Sequence, residues 1–315
     1  MSVDQHQFKF TGKFGELLWL VFKNTILTIC TLGLYIPYAR TNMRKYIWKS
    51  TKLERHPFVF HADPRNLLMG YLLLFGIAAV SFITVAMGGA MFPMLAPLFA
   101  LIPGILIFGF ALRARYMGYC YLVNNTSYRS IRFHAKKDAV WDFMGASLRD
   151  TFLILITFGL YAPCALANLT RIKWQNTSYG NISLKFEMKN WDYAIHTYKR
   201  MFLCVITFGI YIPWSIASNH KFKMKHLSFM GAKVETSVTG GGLIWLYFKS
   251  IVLLVCSLGL AAPYIMNMSL AYYLDNLSIK GSIDLDAIVQ TASAAGDHSF
   301  SDSVADALDV DVDVA

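Results

Sequence analysis

The chain has 315 residues, 56% of them hydrophobic and 15% charged, with a mean hydropathy of +0.43. Ordinary globular domains run about 45–50% apolar and about 25% charged, so this composition argues against a water-soluble domain and for a membrane protein. The formal charge of +10 is uneven: residues 284–315 hold eight Asp and no Lys or Arg. The basic remainder brings no nucleic-acid-binding motif, so its cations are read as flanks of apolar segments facing anionic lipid, and no nucleic-acid partner is expected.

A polar N-terminus reaches Lys13 without a cleavable signal pattern, and the first apolar segment is expected to act as the insertion signal. FKFTG (8–12) alternates apolar and polar residues as a half-exposed strand does, and FVFHA (58–62), IRFHA (131–135) and LKFEM (184–188) repeat that form. Each is followed by an aromatic amphipathic stretch and an apolar segment: TLGLYIPYAR (31–40), TFGLYAPCAL (157–166), TFGIYIPWSI (207–216) and SLGLAAPYIM (257–266). These segments place Gly33 with Pro37, Gly159 with Pro163, Gly209 with Pro213 and Gly259 with Pro263. The last three pairs are spaced by 50 residues, and Asn125-Thr126 is echoed by Asn176-Thr177. A fixed period of this size marks a repeat architecture. Five units are expected, over 8–57, 58–130, 131–183, 184–235 and 236–283, the second enlarged and without a Gly/Pro pair. That second unit contains residues 66–112, free of Asp, Glu, Lys and Arg, which leaves room for two membrane spans.

Proline removes a backbone donor and clashes with the preceding turn, and glycine adds freedom beside it. The pairs are therefore expected to kink or break each helix at membrane depth, and the four breaks to meet at a shared inner surface. Ten residues before each glycine stands a cation: Lys23, Arg149, Lys199 and Lys249. These are read as contacts to lipid phosphate or, as a ring, to an anionic solute. Short turns at Glu54-Arg55-His56, Gly180-Asn181 and Gly231-Ala232 predict small β-hairpins at the membrane surface. The fold class predicted is mainly α: a polytopic membrane protein of tandem repeats over 1–283, with kinked or broken helices at Gly-x-x-x-Pro, followed by an acidic disordered tail over 284–315. Two topologies stay open for it: six full spans, or re-entrant helical hairpins that turn at each break and leave every basic loop in the cytoplasm.

FKFTGKFGELLWL, TLGLYIPYA followed by RTNMRKY, and the later copies TFGLYAP and TFGIYIPW resemble the YjgN-like family. The resemblance covers residues 7–285 and implies a bacterial inner-membrane protein with a domain of unknown function. It departs at Cys164 after Pro163, and at Ala261, which stands where the other copies have Tyr35, Tyr161 and Tyr211. It carries over no catalytic residue. No His spacing suits a metal: His61 and His134 occupy equivalent hairpin positions, and His220 and His226 follow the third pair without a ligand pattern. Five scattered cysteines form no C-x-x-C, and Gly240-Gly241-Gly242 is a lone glycine run. No enzyme, metal or cofactor is expected. Transport or permeation of a small solute, an anion if the cations form a ring, is the first functional expectation. An envelope structural or partner-binding protein is the alternative, and the lipid bilayer with its anionic lipids is the expected partner.

Overall fold

In the computed structural model, which describes residues 5–229 and 231–281, one order repeats five times: strand, helix, helix, strand. The first unit comprises β1 (Gln5–Phe10), α1 (Phe14–Cys30), α2 (Ile36–Ser50) and β2 (Thr51–Leu53). The second comprises β3 (His56–Phe60), α3 (Pro64–Met91), α4 (Ala96–Asn124) and β4 (Thr126–Tyr128). The third comprises β5 (Ile131–Ala135), α5 (Val140–Ile156), α6 (Ala162–Gln175) and β6 (Thr177–Tyr179). In the fourth, β7 (Ile182–Ser183) and β8 (Lys185–Phe186) flank Leu184, and α7 (Asn190–Ile206), α8 (Ile212–Lys225) and β9 (Leu227–Phe229) follow. The fifth comprises β10 (Ala232–Thr236), α9 (Gly240–Cys256), α10 (Ala262–Asp275) and β11 (Leu277–Lys280).

The strands are too short to stand as isolated hairpins, which are marginal in water. They join edge to edge into one antiparallel sheet of order β7-β6-β5-β4-β3-β2-β1-β11-β10-β9-β8. The two end strands, β7 and β8, are separated in sequence by Leu184 alone, so the sheet forms a nearly closed barrel-like belt. Register sorts its faces by chemistry. Phe8 pairs with Leu53, Phe58 with Tyr128, Phe133 with Tyr179, Phe186 with Leu227 and Val234 with Ile279. These residues share one apolar cluster drawn from around the belt, which places them on its inner face. The alternate positions pair Lys9 with Lys52, Ser127 with Arg132, Lys185 with Ser228 and Lys233 with Lys280, a polar and basic outer face.

Because neighbouring strands alternate in direction, the helical hairpins all leave one rim of the belt and the tight turns all lie on the other. Each helix packs on its predecessor and successor, and α10 returns to α1, so the ten helices close into a ring. Phe14 meets Tyr264 edge-on at 5.3 Å across that closure, and Asn267 Nδ2 donates to the Gly12 carbonyl at 3.0 Å. In the four units with a Gly/Pro pair, the first helix bears most of the exposed apolar side chains. Second helices of neighbouring units touch through Lys173 against Tyr119 and His220 against Tyr273.

The polytopic helical fold expected from hydropathy is corrected here. Among the described residues no helix is long and apolar enough to cross a membrane. In the Gly/Pro units the reason is geometric. The pair does not kink one continuous helix but reverses the chain, dividing each apolar segment into helices of 17 and 14 or 15 residues. At about 1.5 Å per residue these measure roughly 21–26 Å, short of the ~30 Å hydrocarbon core. The two spans expected over 66–112 are instead the two arms of the α3–α4 hairpin. The surface β-hairpins are parts of a single sheet. The acidic tail expected at 284–315 lies outside the described residues.

Candidate functional site

The four Gly/Pro turns share one hydrogen-bond pattern. After α1, the Thr31 N–H donates to the Leu27 carbonyl at 3.0 Å, Leu32 to Ile29 at 3.1 Å, Gly33 to Thr28 at 2.8 Å, Leu34 to Thr31 at 3.1 Å and Ile36 to Gly33 at 3.0 Å. The Thr31 hydroxyl donates to the Leu27 carbonyl at 2.7 Å and accepts the Tyr35 N–H at 3.0 Å. Every N–H from 31 to 36 is thereby satisfied, and residue 37, next in line, is a proline without one. The turns after α5, α7 and α9 repeat the pattern, with Thr157, Thr207 and Ser257 as the hydroxyl clamps. Gly33, Gly159, Gly209 and Gly259 take φ of +93°, +89°, +87° and +90°, which only glycine adopts freely. Pro37, Pro163 and Pro263 are buried at the start of the second helix, and Pro213 opens α8 in the same way.

The residue before each glycine is the anomaly. Leu32, Phe158, Phe208 and Leu258 all adopt φ of +49°, a left-handed conformation costly for a bulky side chain. They are 96, 97, 97 and 93% exposed. A water-facing turn would favour Asn or Gly at this position on both counts. The next residues out, Leu34, Leu160, Ile210 and Leu260, are exposed as well, and Met91, Phe92 and Met94 make the tip of the α3–α4 hairpin equally apolar. The breaks therefore do not meet at an inner surface as the sequence suggested. They stand at the exposed tips of a crown.

Lys23, Arg149, Lys199 and Lys249 lie on α1, α5, α7 and α9, all exposed, each ten residues before the tip glycine. Ten residues of helix is about 15 Å, half of a ~30 Å hydrocarbon core. Lys249 lies 4.9 Å over the Trp245 ring. Arg149 donates to Asp150 from Nε at 3.0 Å and Nη2 at 2.8 Å, and this hydrogen bond is the main cause that raises its pKa. Asp150, 1% exposed, also accepts from Asn168 Nδ2 at 2.9 Å. Exposed Trp19, Trp141, Trp191 and Trp245 lie further from the tips than the cations do. Amphipathic rings at such a level are characteristic of a membrane–water interface.

A polar layer runs through the crown at the level of the cations. Asn24 Oδ1, Ser147 Oγ, His196 Nδ1, Arg200 Nε, Asn219 Oδ1, His220 Nδ1 and Asn267 Oδ1 are buried without a hydrogen-bond partner. Desolvation, the larger cause, pushes the His196 and His220 pKa values down, aided by Arg200 and Lys223 respectively. Apart from His220, neither this layer nor the hydroxyl clamps stand out in the sequence. The clamps leave a trace in it, a Thr or Ser two residues before each glycine. His134 lies in β5 and His61 directly follows β3, with its Nε2 2.7 Å from Ser127 Oγ. Among the described residues no group of His, Cys, Asp and Glu could hold a metal ion. All five cysteines are free.

No solved structure matches the chain. A curated relative, the inner membrane protein YjgN of Salmonella typhimurium, is 34% identical over 111 residues, 35% of this chain and 28% of that protein. The match thus spans little more than a quarter of the relative's length. One family profile matches residues 5–202 and 217–307, nearly the whole described fold. The chain belongs to that family, described as bacterial protein of unknown function, DUF898.

Proposed function

We propose that this protein is seated in the bacterial inner membrane by its helical crown, which enters the bilayer from one side only. The tips of the four Gly/Pro hairpins lie near the middle of the bilayer, with the longer α3–α4 hairpin reaching beyond them, the cations Lys23, Arg149, Lys199 and Lys249 meet lipid phosphates, and the basic belt stays in water on the cytoplasmic side. The observation that carries this reading is the tip turn. It satisfies each of its N–H groups internally, ends on a proline, and sets a large apolar side chain where water would favour Asn or Gly. Such a backbone suits a medium that offers no hydrogen bonds. The cation spacing matches the depth of one leaflet, and the positive-inside tendency sets the side. The name of the Salmonella relative supports the same compartment.

Of the two functional expectations, the geometry favours a structural, lipid-binding membrane protein. Solute passage drew its support from breaks gathered around a path, and these breaks stand apart at exposed tips. The test is flotation of purified protein with vesicles of phosphatidylcholine and phosphatidylglycerol. The native protein is expected to float and to stay bound in high salt, which removes only the electrostatic part. Release of the protein by salt alone would reject insertion.

A further inference from the structure

The seam between α7 and α8 differs from the other hairpins. Nine residues before the tip glycine, the first helix carries Asn24 in α1, Asp150 in α5 and Ser250 in α9, and Arg200 in α7. Asn24 Nδ2 donates to the Ala39 carbonyl at 3.3 Å, Asp150 is held by Arg149 and Asn168, and Ser250 Oγ donates to the Leu246 carbonyl at 2.8 Å. Arg200 has no comparable partner. Its Nη1 reaches only the His196 carbonyl at 3.4 Å, its Nε is buried and unpartnered, and no carboxylate among the described residues pairs with it. The Nε–Nη2 edge, the planar fork that grips two oxygens at once, is left open.

The surroundings of that edge are cationic or neutral. His196 lies one turn before Arg200, with Nε2 3.4 Å from Ser218 Oγ. Asn219 neighbours the same ring, and both His196 Nδ1 and Asn219 Oδ1 are buried without a partner of hydrogen-bond geometry. Phe222 closes the far side of the imidazole at 4.3 Å. Lys199, adjacent in sequence, is exposed. A half-buried guanidinium beside a second cation, with no acid, is costly to leave uncompensated. Two oxygens on one tetrahedral centre fit the fork, and the polar neighbours fit the remaining oxygens.

We infer that the α7–α8 seam is a phosphate-binding site, with Arg200 gripping two phosphate oxygens and His196, Asn219 and Lys199 completing the shell. If the crown is seated as proposed, the phosphate belongs to an anionic phospholipid of the entered leaflet. That clause alone rests on the membrane reading. Arg200 lies about 14 Å along the helix from its tip, the level of lipid phosphates for a tip near the midplane.

The experiment uses full-length protein in detergent, with short-chain phosphatidylglycerol and inorganic phosphate as separate probes read by native mass spectrometry. The native protein is expected to retain one phosphatidylglycerol. Arg200→Gln is expected to weaken retention at least about tenfold, the scale of one charge-assisted bidentate contact. Lys199→Gln is expected to weaken it about fivefold, as one cation at a lipid surface does. Arg200→Lys, which keeps the charge and loses the fork, is expected to restore only part of it. Inorganic phosphate competing at equal concentration would keep the site but assign it to a free phosphate. Equal retention by native protein and Arg200→Gln would overturn the site. Flotation of Arg200→Gln with phosphatidylcholine vesicles separates the two readings: a variant that floats yet retains no phosphatidylglycerol has lost the site and kept the seat. Native protein that retains phosphatidylglycerol in detergent but does not float fails the seat and keeps the site.

Discussion

Replacing Leu32, Phe158, Phe208 and Leu258 together with Asn separates the demands of the fold from those of the membrane. All four residues sit at φ +49°, where Asn is among the best-tolerated side chains, so the turn itself is relieved of strain. All four are at least 93% exposed, so almost no internal packing is lost. In lipid, each Leu or Phe gives up about 1.5–3 kcal/mol of apolar burial, or about 6–12 kcal/mol for the set. One substitution should weaken partitioning into neutral vesicles by about 10–150-fold, and the set should abolish flotation. The thermal midpoint in detergent should stay level or rise. A quadruple variant that floats like the native protein would refute the reasoning, as would one whose fold collapses in detergent.

Thr207→Val keeps the shape of the clamp but leaves the Tyr211 N–H without its acceptor, and should destabilise the protein by about 1–3 kcal/mol, read as a lower thermal midpoint. Gly159→Ala meets no atom within 4 Å yet must hold φ +89°, so strain alone should cost about 1 kcal/mol in the same assay. Lys199→Glu should weaken binding to phosphatidylglycerol vesicles by about 1–2 kcal/mol and leave binding to phosphatidylcholine vesicles unchanged, measured by co-sedimentation at two salt concentrations. His196 is held below the ordinary imidazole value by desolvation and then by Arg200, so the folded protein binds this proton less readily than the unfolded chain. The stability linked to it is present above about pH 6.5 and is lost as pH falls below that value. His196→Gln should flatten the fall of the thermal midpoint between pH 7.5 and 5.5. Bound phosphatidylglycerol should flatten it too, because a phosphate favours the protonated ring.

The recurrence of the Gly/Pro pairs was plain in the sequence, and so was the matched cation ahead of each glycine. Whether a pair kinks a helix or reverses it was harder to read. Glycine and proline alone permit both; reversal is decided by two successive left-handed residues and by the hydroxyl that takes the Tyr35-type N–H. That hydroxyl was present as Thr31, Thr157, Thr207 and Ser257 but looked like one more small residue in an apolar run. The belt was less legible still. Strands of two or three residues, such as Ile182–Ser183 and Thr51–Leu53, carry almost no periodic signal, and their pairing is settled by the helices that bring them together. The near-closure depends on β1 pairing with β11, Gln5 opposite Lys280, which no local pattern encodes. Arg200 stood in the sequence beside the singled-out Lys199. Its want of an acid partner appears only when α8 is laid against α7 and supplies Ser218 and Asn219 instead.

The seat from one side is tested most directly by cysteine accessibility in oriented inner-membrane vesicles, on a background without Cys30, Cys120, Cys164, Cys204 and Cys256. Single cysteines replace Phe208 at a tip, Lys52 on the outer face of the belt, and Glu54 and Gly180 at the tight turns, and a membrane-impermeant maleimide is added to either face. The account predicts that positions 52, 54 and 180 label from the cytoplasmic face alone and that position 208 labels from neither. Labelling of position 208 from the cytoplasmic face would mean that the crown never enters the bilayer, and labelling from the opposite face would mean that it crosses.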